Sequence, residues 1–87
     1  RAPAESIPFW DEAVELQRRV AKGIDDVNTA MLLRSAAIAR QEAGKFDEAL
    51  PFLEEALAMR QRLYPDQDHE AVAQSLSNLG ASLRDLG

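Results

Sequence analysis

The stretch GKFDEA at residues 44–49 separates two segments of the chain that share one pattern. From Leu33 to Ala43 and again from Phe46 to Leu57, apolar residues recur mainly at steps of three and four. This spacing places them on one face of an α-helix on each side of the stretch. Gly44 suits the left-handed turn that ends a helix, because glycine has no Cβ to clash there. The sequence therefore predicts two helices joined by a short turn as an antiparallel hairpin.

The same signals extend outward from this hairpin and predict an all-α chain. We expect an irregular segment over residues 1–7 and then four helices, over residues 8–22, 26–43, 46–64 and 69–86. No stretch shows the alternating, β-branched pattern of a strand. The helical domain is accordingly predicted to span residues 8–87.

Capping residues and prolines set the predicted helix ends. The expected N-terminal caps are Ser6 ahead of Pro8, Asp25 or Asp26, and Asp68, and the expected stops are Gly23, Gly44, Pro65 and Gly87. Pro51 falls just past the first turn of the third helix, where at most one backbone hydrogen bond is lost. We therefore predict a slight bend at Pro51 and no break.

Two internal matches indicate a repeat. WDEAV at residues 10–14 lies over FDEAL at residues 46–50, a shift of 36 positions, which would give Trp10 the place of Phe46 in the core. Gly44 and Gly87 are 43 positions apart. Periods of this length are typical of solenoids built from stacked helix pairs. The four helices are predicted to alternate in the order B-A-B-A, where A and B are the two helices of one repeat.

These residues resemble the tetratricopeptide repeat. The pattern L-x-x-L-G-x-x-L at residues 76–83 is similar to the first half of its signature, and G-x-F-x-x-A-x-x-x-L-x-x-A at residues 44–56 is similar to the second. The resemblance covers about residues 9–87. The long period, the residues at 56–60 and 68–79, and Pro51 resemble the kinesin-light-chain-like subclass. Arg40 and the pair Ala36-Ala37 depart from the family pattern, so the second helix is a degenerate copy.

The composition excludes several function classes. The chain has 87 residues and a net charge of −5, which makes a nucleic-acid or anionic-membrane partner electrostatically unfavourable. It has no cysteine, and 46% of its residues are hydrophobic without any run long enough to cross a membrane. Because it begins at Arg1 without methionine, we expect a fragment or a processed product. We predict a cytoplasmic protein.

No pattern of residues indicates an enzyme, a cofactor or a metal. Nucleophile elbows, phosphate-binding loops, zinc spacings and calcium loops are all missing from the sequence. His69 is interpreted as a helix-start residue in an acidic loop. The pairs Asp11-Glu12 and Glu54-Glu55 are interpreted as solvated faces, because adjacent helical positions point apart. Arg18-Arg19 and the pair Arg60 and Arg62 are too sparse for a nucleic-acid surface.

The remaining candidate surface is the groove that the resemblance implies between the second and fourth helices. In this family the A helices line a concave groove that binds extended peptides or a partner's helix. Helical spacing puts one set of residues on that face of each helix: Met31, Arg34, Ser35, Ile38, Gln41 and Glu42, and then Gln74, Ser77, Asn78, Ala81, Arg84 and Asp85. The predicted peptide-binding residues are Arg34, Ile38, Gln41, Gln74, Ser77, Asn78 and Arg84. An ordinary solvated helix face is the alternative interpretation.

Within that groove, chemistry suggests separate roles for a few side chains. Asn78 falls where the subclass has an asparagine suited to holding a peptide backbone through its amide. Arg34 and Arg84 are suited to pairing with carboxylates. Ile38 does not fit the carboxylate-clamp domains that grip chaperone C-termini, so that subtype is rejected.

The sequence therefore predicts a protein–protein interaction scaffold. The alternatives are a structural or oligomerisation module, and a regulatory repeat domain of a larger signalling or catalytic protein. About three repeats usually bury a continuous core, and this chain has two out of phase. We expect exposed apolar stripes on the outer side of the first helix and at Leu76, Leu79, Leu83 and Leu86, and self-association through them.

Overall fold

The structure is a computed structural model that describes residues 3–65 and 70–86. This part of the chain forms four consecutive helices. They are α1 (Pro3–Ala21), α2 (Val27–Glu42), α3 (Phe46–Leu63) and α4 (Glu70–Leu86). Each helix packs on the next in chain order. Across these two ranges there is no strand, which confirms the predicted all-α hairpin architecture.

The turn at Gly44 has the predicted left-handed geometry. Gly44 has φ of 78° and follows Ala43, the C-terminal cap of α2. The Gly44 N–H donates to the Gln41 carbonyl at 3.0 Å, and the Lys45 N–H donates to the Arg40 carbonyl at 2.7 Å. These two bonds are those of a Schellman motif, and they use carbonyls that the helix end leaves without partners. The turn therefore ends α2 and starts α3 with only three residues between them, Ala43, Gly44 and Lys45.

Two glycine-to-alanine substitutions are expected to shift stability in opposite directions. Gly44→Ala puts a Cβ on a residue with positive φ and should lower the free energy of unfolding by about 1 kcal/mol. Gly80 lies inside α4, and a Cβ there meets no atom within 4 Å, so Gly80→Ala should raise stability by about 1 kcal/mol. Urea denaturation of both variants measures the difference, and two shifts of the same sign would contradict it.

The first helix begins earlier than predicted, at Pro3 instead of residue 8. The prediction of an irregular segment is therefore wrong for residues 3–7, and Ser6 is not a cap. Proline is favoured at the first helical position because its missing N–H needs no partner there. Pro8 is the sixth residue of α1, as Pro51 is of α3, and both helices continue through their prolines. The continuity of α3 confirms the prediction for Pro51.

The helix bounds also correct the repeat alignment. The starts of α1 and α3 are 43 residues apart, as are those of α2 and α4. The period is therefore 43 throughout, and the shift of 36 that placed Trp10 over Phe46 is wrong by about two helical turns. In the corrected register Trp10 takes the place of Leu53. Trp10 still packs against the core, as predicted.

The core joins the helices through small residues. One cluster brings together α1, α2 and α3 and consists of Val14, Ala30, Leu33, Ala36, Ala56 and Met59. A second joins α2 and α3 through Ala37, Ala49 and Leu53, with Leu79 of α4 packed against it. The alanines let the helix backbones approach closely, while the leucines fill the space between them. Leu33 and Leu53 are fully buried.

Asp26 caps α2, in agreement with one of the two predicted candidates. Its carboxylate accepts the Thr29 N–H at 3.1 Å and the Gln17 amide at 2.8 Å. The hydrogen bond from Gln17 is the main cause that lowers the pKa of Asp26, and the bonds from Thr29 add to it.

The other helix ends agree with the predicted stops. Gly23, with φ of 77°, follows the end of α1, and α3 ends before Pro65. The predictions for Asp68, His69 and Gly87 lie outside the described residues.

The interpretation of the two acidic pairs, Asp11-Glu12 and Glu54-Glu55, as solvated faces is wrong for one residue of each pair. Asp11 accepts two hydrogen bonds from Arg40, at 2.7 and 2.8 Å, and Glu55 pairs with Arg18 at 2.7 Å. These contacts tie α1 to α2 and to α3. Glu12 and Glu54 are exposed, as predicted, because the adjacent positions point away from the neighbouring helices.

Arg40 explains the departure from the family pattern at its position. Arg40 as a whole is only 7% exposed. Its guanidinium carbon lies 4.2 Å from the centre of the Phe52 ring, and its Nη1 donates a hydrogen bond to the Ala36 carbonyl at 3.2 Å. The hydrogen bonds to Asp11 raise the pKa of Arg40 further above its ordinary value, against the opposing effect of burial. The arginine therefore fills an apolar position with its stem while its charge is paired.

Candidate interaction groove

The groove between α2 and α4 is closed at one end and open at the other. At the closed end the Gln41 side-chain amide donates to the Asn78 backbone carbonyl at 3.3 Å. About 10 Å back along α2 lies an open cleft of about 350 Å³. Its walls come from α2, α4 and the C-terminal end of α3: Val27, Ala30, Met31, Arg34, Arg60, Tyr64, Glu70 and Gln74.

The structure brings only some of the predicted groove residues together. Arg34 and Gln74 line the cleft from α2 and α4, and Gln41 meets Asn78 at the closed end. Ile38, Ser77 and Arg84 lie on the same two helices but outside the lining of the cleft. Ile38 is half-buried, while Ser77 and Arg84 are exposed, and Arg84 makes an interaction within the chain. The predicted face therefore divides into a cleft and a closed segment.

The two predicted helix faces also include residues that are not among the predicted peptide-binding set. One of them, Met31, lines the cleft and is 52% exposed. The Ser35 hydroxyl donates to the Met31 carbonyl at 3.1 Å, so it serves its own helix. Glu42 is exposed and Ala81 half-buried. Nothing is described for the side chain of Asp85.

Sequence reasoning missed the contribution of α3 to the cleft, chiefly Arg60 and Tyr64. A signal for Arg60 was present. Arg60 lies about as far after Gly44 as Ala30 lies before it, and an antiparallel hairpin places such residues level with each other. As a pattern in the sequence, the basic pair Arg60 and Arg62 indicates at most a sparse nucleic-acid surface. In the structure the two separate, because Arg62 pairs with Asp25 at 2.7 Å while Arg60 is buried at the cleft.

The cleft concentrates positive charge. Burial lowers the pKa of Arg60, and the nearby positive charge of Arg34 lowers it further, while Tyr64 opposes the shift. Arg34 and Arg60 both line the cleft, so two positive charges share this site. Arg34 Nε is buried and has no hydrogen-bond partner among the described residues. A buried donor without a partner is uncommon, because its lost hydration is not replaced.

A comparison with protein families supplies the classification. The model described as Tetratricopeptide repeat matches residues 3–62, which is more than half of the chain. The chain belongs to the tetratricopeptide repeat family. The predicted membership is confirmed, and the kinesin-light-chain-like subclass stays a prediction. No curated protein and no solved structure matches the chain.

Tetratricopeptide repeats are generally protein–protein interaction modules and typically non-catalytic. In this tetratricopeptide-repeat chain, residues 3–65 and 70–86 contain no group of three or more metal-ligating side chains. None of the helices described is long and apolar enough to cross a membrane. Asn78 Nδ2, like Arg34 Nε, is a buried donor without a partner in the described part of the chain.

Proposed function

We propose that this chain is an interaction scaffold that binds an extended peptide or a partner helix in the groove between α2 and α4. The observation that carries the proposal is the open cleft of about 350 Å³, which side chains of both helices and of α3 line. That volume lies at the lower end of the range for small-ligand sites, so it suits a few side chains of a partner and not a whole domain.

The side chains at the groove offer the contacts that a peptide needs. Gln74 is exposed at the cleft and carries both a donor and an acceptor. The Asn78 Nδ2 is buried at the closed end of the groove without a partner among the described residues, so the amide can take the proposed role in holding a peptide backbone only when the groove opens there. Ile38, Ser77 and Arg84 extend the proposed contact surface along the two helices. The proposal is of a binding site without a catalytic residue or a cofactor.

The test begins with peptides selected from a random 12-residue display library on the intact 87-residue chain. Amide NMR spectra of the ¹⁵N-labelled protein are then recorded during titration with a selected synthetic peptide. Because the peptide is expected to lie between α2 and α4, shifts should concentrate at Met31, Arg34 and Gln74. Shifts confined to α1 would overturn the proposal.

A matched pair of substitutions checks the site independently. Gln74→Trp fills the cleft from α4 and should weaken peptide binding about tenfold or more. Gln61→Trp adds the same bulk at an exposed position of α3 that does not line the cleft, so it should leave the affinity unchanged. Fluorescence polarisation gives both dissociation constants. Equal affinities for the two variants would count against the groove.

A second candidate function is a structural or oligomerisation module. It is favoured by exposed apolar side chains, which are Phe9, Leu16 and Val20 on α1, Ile24 after it, and Leu76 and Leu83 on α4. Patches of this kind often mark interaction surfaces. Light scattering over a range of protein concentrations distinguishes this function, because a self-associating chain gains mass without added peptide. The predicted self-association and cytoplasmic location both stay predictions.

A further inference from the structure

Each of the two terminal helices carries an exposed apolar face. The α1 face consists of Phe9, Leu16 and Val20, and the α4 face consists of Leu76 and Leu83. Within each set the residues are separated by four or seven positions, so they lie on one side of their helix. All five side chains are about half exposed or more.

The 43-residue period shows what the α1 face corresponds to. One period later, its three positions fall on side chains of α3 that pack in or against the core cluster through which α3 meets α2: Phe52, Met59 and Leu63. Met59 is only 8% exposed there, whereas Leu16, at the same place on α1, is 52% exposed. The α1 face is therefore a second version of the α3 surface that packs on α2.

The α4 face corresponds in the same way to the side of α2 that receives α3. One period before Leu76 lies Leu33, which is fully buried in that cluster, whereas Leu76 is 50% exposed. One period before Leu83 lies Arg40, whose guanidinium packs on the ring of Phe52 from α3. Because Leu83 has an apolar side chain at this place, the α4 face can receive an apolar helix without burying a charge.

The two exposed faces are thus the two sides of an interface that the chain already forms internally. Each helix packs on the next in chain order, so α1 and α4 are the outer members of the row. The small residues agree with this correspondence. Ala73 and Gly80 are exposed on α4, and their counterparts on α2, Ala30 and Ala37, are buried. Small side chains at these places allow a second helix to approach α4 as closely as α3 approaches α2.

We propose that a second copy of this chain docks head to tail, with its α1 face on the α4 face of the first copy, in the arrangement of the internal contact between α2 and α3. The α4 face of the second copy then stays open to a third copy. Such a heterologous contact does not stop at two chains, in contrast to a two-fold dimer. The inference specifies the self-association of the second candidate function. It is independent of peptide binding, because none of the five exposed side chains lines the cleft.

The test uses the intact chain and two variants that each place a charge on one face. Leu16→Glu disables the α1 face, and Leu83→Glu disables the α4 face. Both positions are more than half exposed and glutamate favours helix, so both variants should fold. Light scattering should show a wild type that is monomeric when dilute and exceeds the mass of a dimer as its concentration rises. Each variant alone should stay at the monomer mass of 9.6 kDa.

An equimolar mixture of the two variants is the deciding sample. Leu16→Glu retains its α4 face and Leu83→Glu retains its α1 face, so the mixture should form one contact, double its mass and grow no further. Met31→Glu is the matched control. It adds the same charge at a position that is 52% exposed, as Leu16 is, but on the wall of the cleft, so it should associate as the wild type does.

Four results would overturn the head-to-tail contact. They are a wild type that stays monomeric at every concentration, a wild type that stops at a dimer, a single variant that still associates alone, and a mixture that stays monomeric. Circular dichroism checks that each variant is folded. If one is not, Val20→Glu replaces Leu16→Glu, and Leu76→Glu replaces Leu83→Glu. Loss of association in Met31→Glu would place the contact at the cleft instead, and peptide titration tests the groove function separately.

Discussion

Replacement of Asp11 by alanine is expected to lower the free energy of unfolding by about 2–3 kcal/mol, or the Tm by roughly 8–20 °C. The Arg40 side chain is 9% exposed, so its charge stays buried when Asp11 is removed. Glu48, at 3.7 Å, then remains as its carboxylate partner among the described residues. The expected loss of stability is smaller than that for a fully buried ion pair, because the Asp11 side chain is 38% exposed. Thermal unfolding followed by circular dichroism measures the effect.

Glu15→Ala is the control for Asp11→Ala, because it removes an acidic residue of the same helix from an exposed pair. Glu15 and Arg19 are 67% and 72% exposed, and such i,i+4 pairs contribute at most about 0.5 kcal/mol. A third variant, Asp11→Ala with Arg40→Met, removes both charges and should recover much of the lost stability, as apolar replacements of buried pairs often do. Equal losses for Asp11→Ala and Glu15→Ala would contradict the role given to Arg40.

Leu53→Ala is expected to destabilise the chain by about 2–4 kcal/mol. Leu53 is 1% exposed and packs in the cluster that joins α2 and α3 and receives Leu79 of α4. Truncation removes apolar contacts and leaves a cavity that the rigid helix pairs fill only in part. Because α4 packs on this cluster, the loss should also loosen the groove. Chemical denaturation gives the change in free energy, and amide hydrogen exchange should show lower protection in α4.

Leu83→Ala is the matched substitution at a surface position. Leu83 is 53% exposed on α4, so its truncation should cost about 0.5 kcal/mol or less. A similar loss for Leu53 and Leu83 would show that the outer face of α4 is covered in solution. The same result would favour the oligomerisation module over the free scaffold.

Most of the fold could be predicted from local signals. Helical spacing, the Gly44 turn and the Asp26 cap act within a few residues of one another, so they are readable without tertiary contacts. The predicted start of α1 at Pro8 is wrong, because Pro3 occupies the first helical position and the helix continues through Pro8. That error hid the common 43-residue period and allowed the local WDEA and FDEA match to set a false register.

The candidate site was predictable only in part. Helical faces placed Arg34 and Gln74 on facing surfaces, because side-chain periodicity is a local property. The share of α3 in the cleft and the bond from Gln41 to Asn78 depend on how the helices approach one another. The burial of Arg40 is a similar case, since a sequence pattern shows an arginine at an apolar position but not the Asp11 that pairs with it.

The sequence by itself determined the helix content, the hairpin at Gly44 and the membership of the repeat family, because each depends on short-range spacing and turn chemistry. Only the tertiary structure decided which charges are paired and where the groove opens. Arg34 and Arg40 occupy the same helix, yet one lies at an open cleft and the other is buried against Asp11 and Phe52. The difference arises because the energy of a charge depends on burial and on partners from distant parts of the chain.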